Sequence, residues 1–364
     1  MHLCTLLAVA AAKAALKACH LTGRPGSSLP GRAALKIDPH IIAPLAAQVR
    51  RGIIVTCGTH GKTTTNNLLC SALEAQGFCV VSNRLGANMM EGVAAALATA
   101  ANPLGHLNAD YACLEIDEAS SAHVLHFLQP DYMILTNLFR DQLDRYGEID
   151  LTMKALEKAI RLAPNMTLVI NGDDPLTAYL SKKSGHRIVS FGVSERVGEN
   201  AQERVPEKRS SENDSLTGSS GEVREGRFCE NCSAPLQYDF YHFSQLGIYR
   251  CPSCGFQRPS INYDAYGVRL SPELSFDIKE SGAAPPDSFN DRDFYSAPEG
   301  SSDARGFSSA SVRISAPLTG FYNVYNILAV YSVLREMNLP VDTLEKVLHD
   351  FKPPFGRGEV FHVG

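Results

Sequence analysis

The stretch "VTCGTHGKTTT", residues 55 to 65, gathers the residue types that hold a polyphosphate. Gly58 and Gly61 let backbone N–H groups turn inward around phosphate oxygens, and a helix starting near Lys62 adds partial positive charge at its N-terminus. Lys62 can then reach the terminal phosphates, and the Thr63 hydroxyl can ligate Mg²⁺. Thr59 and Thr64 complete the loop. Where the usual P-loop has a further glycine, five residues before Gly61, this chain has Thr56. The reading therefore rests on context: the apolar run "GIIVT" precedes the loop and a helical pattern follows it.

A second constellation is Cys229-x-x-Cys232 with Cys251-x-x-Cys254, separated by the eighteen residues 233 to 250. Each pair can form a knuckle, and two knuckles close a tetrahedral Zn²⁺ site. Four thiolates leave no open position, so such a metal is structural. Two disulfides or a redox pair fit the same spacing, but pairs of this kind in a cytosolic chain suggest a metal first. The other cysteines lie in apolar contexts and read as small buried hydrophobes.

Acidic residues form a third group. Glu115, Asp117 and Glu118 follow "YACL", and Asn137, Asp141 and Asp144 follow "YMILT". Both runs read as strands, which puts these groups on the carboxyl rim where open α/β sheets bind ligands. A solvated strand-end cluster is the competing reading of the first three, with a ligand role favoured.

The elements that must position these groups are legible as a rhythm. "GIIVT", "FCVVS", "YACLEI", "YMILTN", "TLVIN" and "RIVSFGV" are short apolar runs, most of them separated by helix-like segments such as "LTMKALEKAIRLA". Continuous apolar strands alternating with helices predict a mostly parallel sheet covered on both faces, an α/β fold. Two polar stretches, 194–225 and 280–309, lack the large apolar residues needed to order themselves and read as flexible linkers. Between them sits the cysteine-rich segment, about 226–260, too small to hold a core without a staple. "SVRISAPLTGFYNVYNILAVYSVLREMN" predicts a strand and a helix, and Val341 to Phe351 a further short helix.

The net charge of −5 offers no electrostatic footprint for nucleic acid. The opening "MHLCTLLAVAAAKAALKACHL" is interrupted by Lys13 and Lys17, which share a helix face opposite Leu and Ala. It reads as an amphipathic helix docked on the protein or on a membrane surface, not as a signal peptide, and no other run approaches a membrane span.

Six segments in order resemble the Mur ligases, the ATP-dependent enzymes that build the peptidoglycan stem peptide. "GTHGKTT" looks like their "GT-x-GKT" loop, "LEIDEASSAHVLHFLQPDYMILTN" like their acidic strand end, and "TNLFRDQLDRYG" like their "TN…DHLD" loop. "NGDDP" resembles their "N-x-DD" turn. "LTGFYNVYN" is similar to "L-x-G-x-HN-x-x-N", with Tyr322 where His is frequent, and "FGRGE" to the Arg-bearing entry into their C-terminal domain. The cysteine insertion and "DQLDRYGE" point to the branch that amidates the D-glutamate of lipid II.

That resemblance implies a central P-loop ligase domain at 51–353 with an inserted Cys4 zinc ribbon at 226–260, after an N-terminal helical, substrate-side segment at 1–50. Residues 354–364 would begin a C-terminal domain of which the chain, stopping at Gly364, is expected to lack most, which leaves turnover by this chain open. It implies ATP, Mg²⁺ and Zn²⁺ as cofactors. Lys62, Glu115 and Arg357 would be catalytic, Arg357 pairing with the γ-phosphate. Gly58, Thr59, Gly61, Lys62, Thr63 and Thr64 would hold the phosphates. Asp173, Asp174, Asn323 and Asn326 would contact ribose or adenine, although turn formation and helix capping account for such residues equally. Thr63, Glu115 and Glu118 would ligate Mg²⁺. Gln142 stands where relatives commonly have His, which weakens a second metal site.

Amidation needs ammonia, and no Cys–His glutaminase module is evident in the chain. The resemblance implies a separate GatD-like glutaminase subunit in a heterodimer, lipid II as substrate, and a cytoplasmic location at the inner membrane face with membrane contact only through substrate. Two alternatives stay open: a Mur-type amino-acid ligase acting on a UDP-linked precursor, and a non-catalytic nucleotide-binding zinc-ribbon protein.

Overall fold

The structure is a computed structural model that describes residues 2–84, 87–139, 148–197, 225–281 and 311–351. Each predicted apolar run becomes a strand: β1 (Gly52–Cys57), β2 (Val80–Ser82), β3 (Tyr111–Glu115), β4 (Tyr132–Leu135), β5 (Thr167–Asn171) and β6 (Arg187–Val193). They lie parallel in the order β2-β3-β1-β4-β5-β6. Side chains alternate along each strand: Ile53, Val55 and Cys57 enter the core on one face and Ile54 the core on the other. Both faces are covered, which explains why the runs carry almost no polar residue.

Two strands were not apparent as such in the sequence. β9 (Tyr263–Arg269) and β10 (Leu274–Glu280) extend the sheet beyond β6, and β11 (Val312–Ala316), the strand expected near residue 312, closes it. β9 pairs parallel with β6, whereas β10 is antiparallel to both β9 and β11. The result is a nine-stranded, mostly parallel sheet. β7 (Gln237–Phe243) and β8 (Leu246–Arg250) stay outside it as a separate antiparallel hairpin.

Helices α4 (Lys62–Ala75), α9 (Tyr322–Glu336) and α10 (Asp342–Asp350) contribute to one core, and α5 (Met90–Ala100), α7 (Glu148–Leu162) and α8 (Pro175–Ser184) to the other. α6 (Ser121–Leu125) follows the acidic strand end.

The N-terminal segment forms α1 (Leu3–Leu21), α2 (Leu29–Ile37) and α3 (Ile42–Ala46). The division of α1 into a lysine face and an apolar face is corrected. Its buried stripe is Thr5, Ala8, Val9, Ala12 and Cys19, Lys13 donates to the Thr99 carbonyl at 2.8 Å, and Leu3, Leu7 and Leu21 are exposed. Small residues bring the helix axes close, and the lysine stem reaches a carbonyl at the neighbouring helix's end. α1 is also, among the described residues, the one helix long and apolar enough to cross a membrane. The expected linkers, apart from their ends, and the segment 354–364 lie outside the described residues.

Candidate functional site

The registers Thr56↔Glu115 and Cys57↔Leu135 set the phosphate loop between the ends of β3 and β4. Gly58 has φ 127° and Gly61 φ 83°, a backbone region that L side chains avoid. A Cβ on Gly58 would stand 2.2 Å from Thr136 Oγ1, and one on Gly61 2.2 Å from Asn326 Oδ1, so neither position admits another residue without displacement. The loop is also pinned from outside. Thr59 N donates to the Asn137 carbonyl at 2.8 Å, His60 N to Asn137 Oδ1 at 2.9 Å, and Thr136 Oγ1 to the His60 carbonyl at 2.7 Å.

One carboxylate oxygen, Glu118 Oε1, accepts from Gly58 N at 2.7 Å and from Lys62 Nζ at 2.9 Å. The Lys62 and Glu118 side chains are only 13% and 12% exposed. An anionic oxygen thus already sits where loop amide and lysine converge, which is the donor set a phosphate oxygen needs. Thr63 and Thr64 are buried in the first turn of α4. Glu115 is buried at the end of β3, its Oε1 3.3 Å from Asn88 Nδ2. Asp117 accepts from the Ala119 and Ser120 amides and so shapes the turn before α6, while burial, and then the Glu118 charge, raises its pKa. Burial pushes the Cys57 thiol far up as well, leaving it a poor nucleophile.

Beyond the loop opens a cavity of about 490 Å³. It is lined by Thr59, His60, Gly61 and Thr64 of the loop and α4, by Asn137 and Phe139 after β4, and by Tyr322, Tyr325 and Asn326 of α9. Phe243 and Leu246, from the tip of the β7–β8 hairpin, complete the lining. Asn326 accepts from Thr65 Oγ1 at 3.2 Å and donates to Asn323 Oδ1 at 3.0 Å, tying α9 to the loop helix.

Asp173 and Asp174 are placed differently from a pair expected to meet a nucleotide. Both are 0% exposed. Asp173 accepts from Arg258 Nε at 2.5 Å, Val193 N at 2.8 Å and Tyr325 Oη at 2.8 Å. Asp174 accepts from Leu138 N, Leu176 N and Gln245 Nε2 at 2.7, 3.0 and 2.8 Å. Their acceptor capacity is spent inside the protein, chiefly on β-rim amides and on residues of the cysteine-rich insertion. Arg357, Asp141, Gln142 and Asp144 lie outside the described residues. Sequence reasoning missed Phe139, Phe243, Gln245 and Leu246, and no local pattern marks them.

Burial pushes Asp174 from 3.8 up to about 6, against the hydrogen bonds from Gln245, Leu176 and Leu138, which pull it down. A raised carboxyl binds its proton more tightly folded than unfolded, so its stabilising contribution is complete below pH ~4 and is lost as pH rises through ~6. Relative to an Asp174→Asn chain, the native chain should therefore lose up to about 3 kcal/mol between those limits. Urea unfolding of both chains at pH 4, 5 and 7 reads that difference.

The four cysteines converge as the spacing predicted. Their sulfurs all lie within 4.8 Å of one another, with Cys229–Cys254 and Cys232–Cys251 each at 3.5 Å. A tetrahedron with metal–sulfur bonds of ~2.3 Å has edges of about 3.8 Å, so the set fits one ion. The knuckles repeat one geometry. Ser233 N bonds the Cys229 carbonyl and Gly255 N the Cys251 carbonyl, with Ser233 at φ 60° and Gly255 at φ 75°.

Residues 55–225 match the family model of the Mur ligase middle domain. The chain is 32% identical over 354 residues to the MurT subunit of lipid II isoglutaminyl synthase (glutamine-hydrolyzing) from Staphylococcus aureus strain COL, covering 97% of this chain and 68% of that relative. It is 30% identical over 364 residues to the same-named subunit from Streptococcus pneumoniae, covering 100% of this chain and 70% of the relative. Among solved structures it resembles a pseudomurein peptide ligase type C from Methanothermus fervidus, with TM-score 0.60 and 21% identity over 87% of this chain. It spans about half the length of that protein, 52%.

Proposed function

Because the chain belongs to the Mur ligase family, we propose that it is the ATP-using subunit of an enzyme that amidates the D-glutamate α-carboxylate of the lipid II stem peptide. The observation that carries the ATP reading is the shared Glu118 oxygen between Gly58 N and Lys62 Nζ, a ready-made anion position at a strand–loop–helix junction. The choice of substrate is supported by the two relatives, both lipid II isoglutaminyl synthase subunits.

A carboxylate is inert toward ammonia at neutral pH. Transfer of the γ-phosphoryl group to a carboxylate oxygen, with ADP leaving, gives an acyl phosphate. The nitrogen lone pair of ammonia then attacks the carbonyl carbon, phosphate leaves with the C–O electron pair, and the proton lost from nitrogen goes to the departing phosphate. Positioning and charge neutralisation are what a protein contributes to the first step. Lys62 and the amides from Gly61 to Thr64 would hold the phosphates, joined by the Gly58 amide once Glu118 yields it and Lys62, while the Thr59 and His60 amides stay on Asn137. The base would lie in the cavity lined by Asn326, Tyr322 and Tyr325, with Asn323 holding Asn326 from behind. Thr63, Glu115 and Glu118 would hold Mg²⁺ through hard oxygens of the type that ion prefers, and the ion would neutralise phosphate charge. Zn²⁺ suits the four sulfurs. Ammonia comes from a separate glutaminase subunit, and the reaction takes place at the cytoplasmic membrane face where lipid II is displayed.

The test is ADP release by the chain with its glutaminase partner, glutamine, Mg·ATP and lipid II. One ADP per isoglutamine formed is expected. ADP release driven instead by a UDP-linked precursor and a free amino acid, without glutaminase, would overturn the assignment in favour of amino-acid ligation.

A further inference from the structure

We propose that the four-cysteine hairpin is a working wall of the nucleotide site, whose tip residues Phe243 and Leu246 grip the base while the metal knot at its other end holds that wall in place. The inference rests on the nucleotide reading above and deepens it.

The tip is locked onto the rim by a side chain with nothing left over. Gln245 is 0% exposed and uses both donors and its acceptor: Nε2 to the Leu138 carbonyl and to Asp174 Oδ1, each at 2.8 Å, and Oε1 from Gly226 N at 3.1 Å. Gly247 N adds a bond to the Asp173 carbonyl at 3.0 Å, and Tyr249 Oη one to the Gly172 carbonyl at 3.2 Å. The turn "NGDDP" is thus the socket for this hairpin.

The residue beside Gln245's turn is treated differently. Phe243 is 54% exposed and Tyr322 49% exposed, and both line the same cavity. Phe243 meets Phe139 edge-on at 6.1 Å, and Phe139 lies 5.3 Å from the His60 ring in the phosphate loop. A row of rings therefore runs from the phosphate loop to the hairpin tip, with apolar surface left open toward the space a purine would fill. Large rings kept wet beside a polar loop are a stacking platform in waiting.

The metal enters through the hairpin's own instability. A lone two-stranded hairpin is marginal in water, and here the knuckles precede β7 and follow β8, at the end opposite the tip. A seven-residue strand spans about 23 Å, so the knot lies far from the pocket yet fixes the strands that present Phe243.

Binding of Mg·ATP and of Mg·tripolyphosphate, which lacks base and ribose, separates base grip from phosphate grip. Calorimetry is expected to show Phe243→Ala weakening ATP about tenfold with tripolyphosphate unchanged, and Phe243→Tyr restoring ATP. Stripping the metal with a chelator should weaken ATP by at least as much and again spare tripolyphosphate. Unchanged ATP affinity in Phe243→Ala, or equal weakening of both ligands, would overturn the inference. Lys62→Ala must weaken both ligands; if it weakens neither, the fault lies with the nucleotide reading itself.

Discussion

A Lys62→Ala chain is expected to lose at least about a hundredfold in affinity for Mg·ATP, measured by titration calorimetry, with ligase turnover falling in step. The magnitude follows from where the ammonium sits. Its side chain is 13% exposed, so in the complex it would meet a phosphate oxygen largely shielded from water, and truncating one member of such a hydrogen-bonded charge pair across a binding interface costs about 2–5 kcal/mol. Truncation also leaves the Glu118 carboxylate bonded to Gly58 N with no cation opposite it. That carboxylate then competes with incoming phosphate by repulsion as well as by occupancy. Lys62→Arg should not restore binding, because a planar fork cannot take the place of a compact ammonium beneath a tight loop. Undiminished affinity in the alanine chain would remove the basis for an ATP site here.

The second large effect concerns the sulfurs. The native chain should contain about one zinc per molecule by elemental analysis, and Cys251→Ser should contain essentially none. Structural zinc sites contribute apparent binding free energies of about 10–16 kcal/mol to the segments they fold, far more than the small cluster of Leu236, Tyr238, Tyr249 and Phe256 against Ala178 can supply alone. Amide exchange over β7 and β8 should accelerate by orders of magnitude in the variant. Amides of β1, β4 and β5 should stay protected, because their cores lie on the two faces of the main sheet and do not include the sulfurs. Native-like protection of the hairpin in a metal-free chain would mean that the cysteines hold nothing together.

How much was legible varied with how local each signal is. The phosphate loop was readable because Gly58, Gly61 and Lys62 act within one turn of chain, and the structure gives the two glycines the positive φ that their type permits. The cysteine pairs were readable for the same reason: each knuckle is a four-residue turn. The six parallel strands announced themselves because burial on both faces leaves a run of apolar residues with no alternation. β9 and β10 did not, since polar residues such as Asp264, Asp277 and Lys279 interrupt their apolar positions and leave no continuous run.

Asp173 and Asp174 show the limit most clearly. "NGDDP" does look like a ligand turn, and its carboxylates do bind partners, but those partners are Arg258, Tyr325 and Gln245, seventy-one to one hundred and fifty-two residues away in sequence. Whether a buried carboxylate meets a ribose or a hairpin is decided by which segment docks on it, and no neighbour in the chain reports that. Sequence alone determined the chemistry on offer, a phosphate-holding loop and a four-sulfur knot, because each is made by residues adjacent along the backbone. Tertiary structure alone decided that the knot's hairpin reaches the cavity beside that loop, because side chains find distant partners only once the sheet has assembled around them.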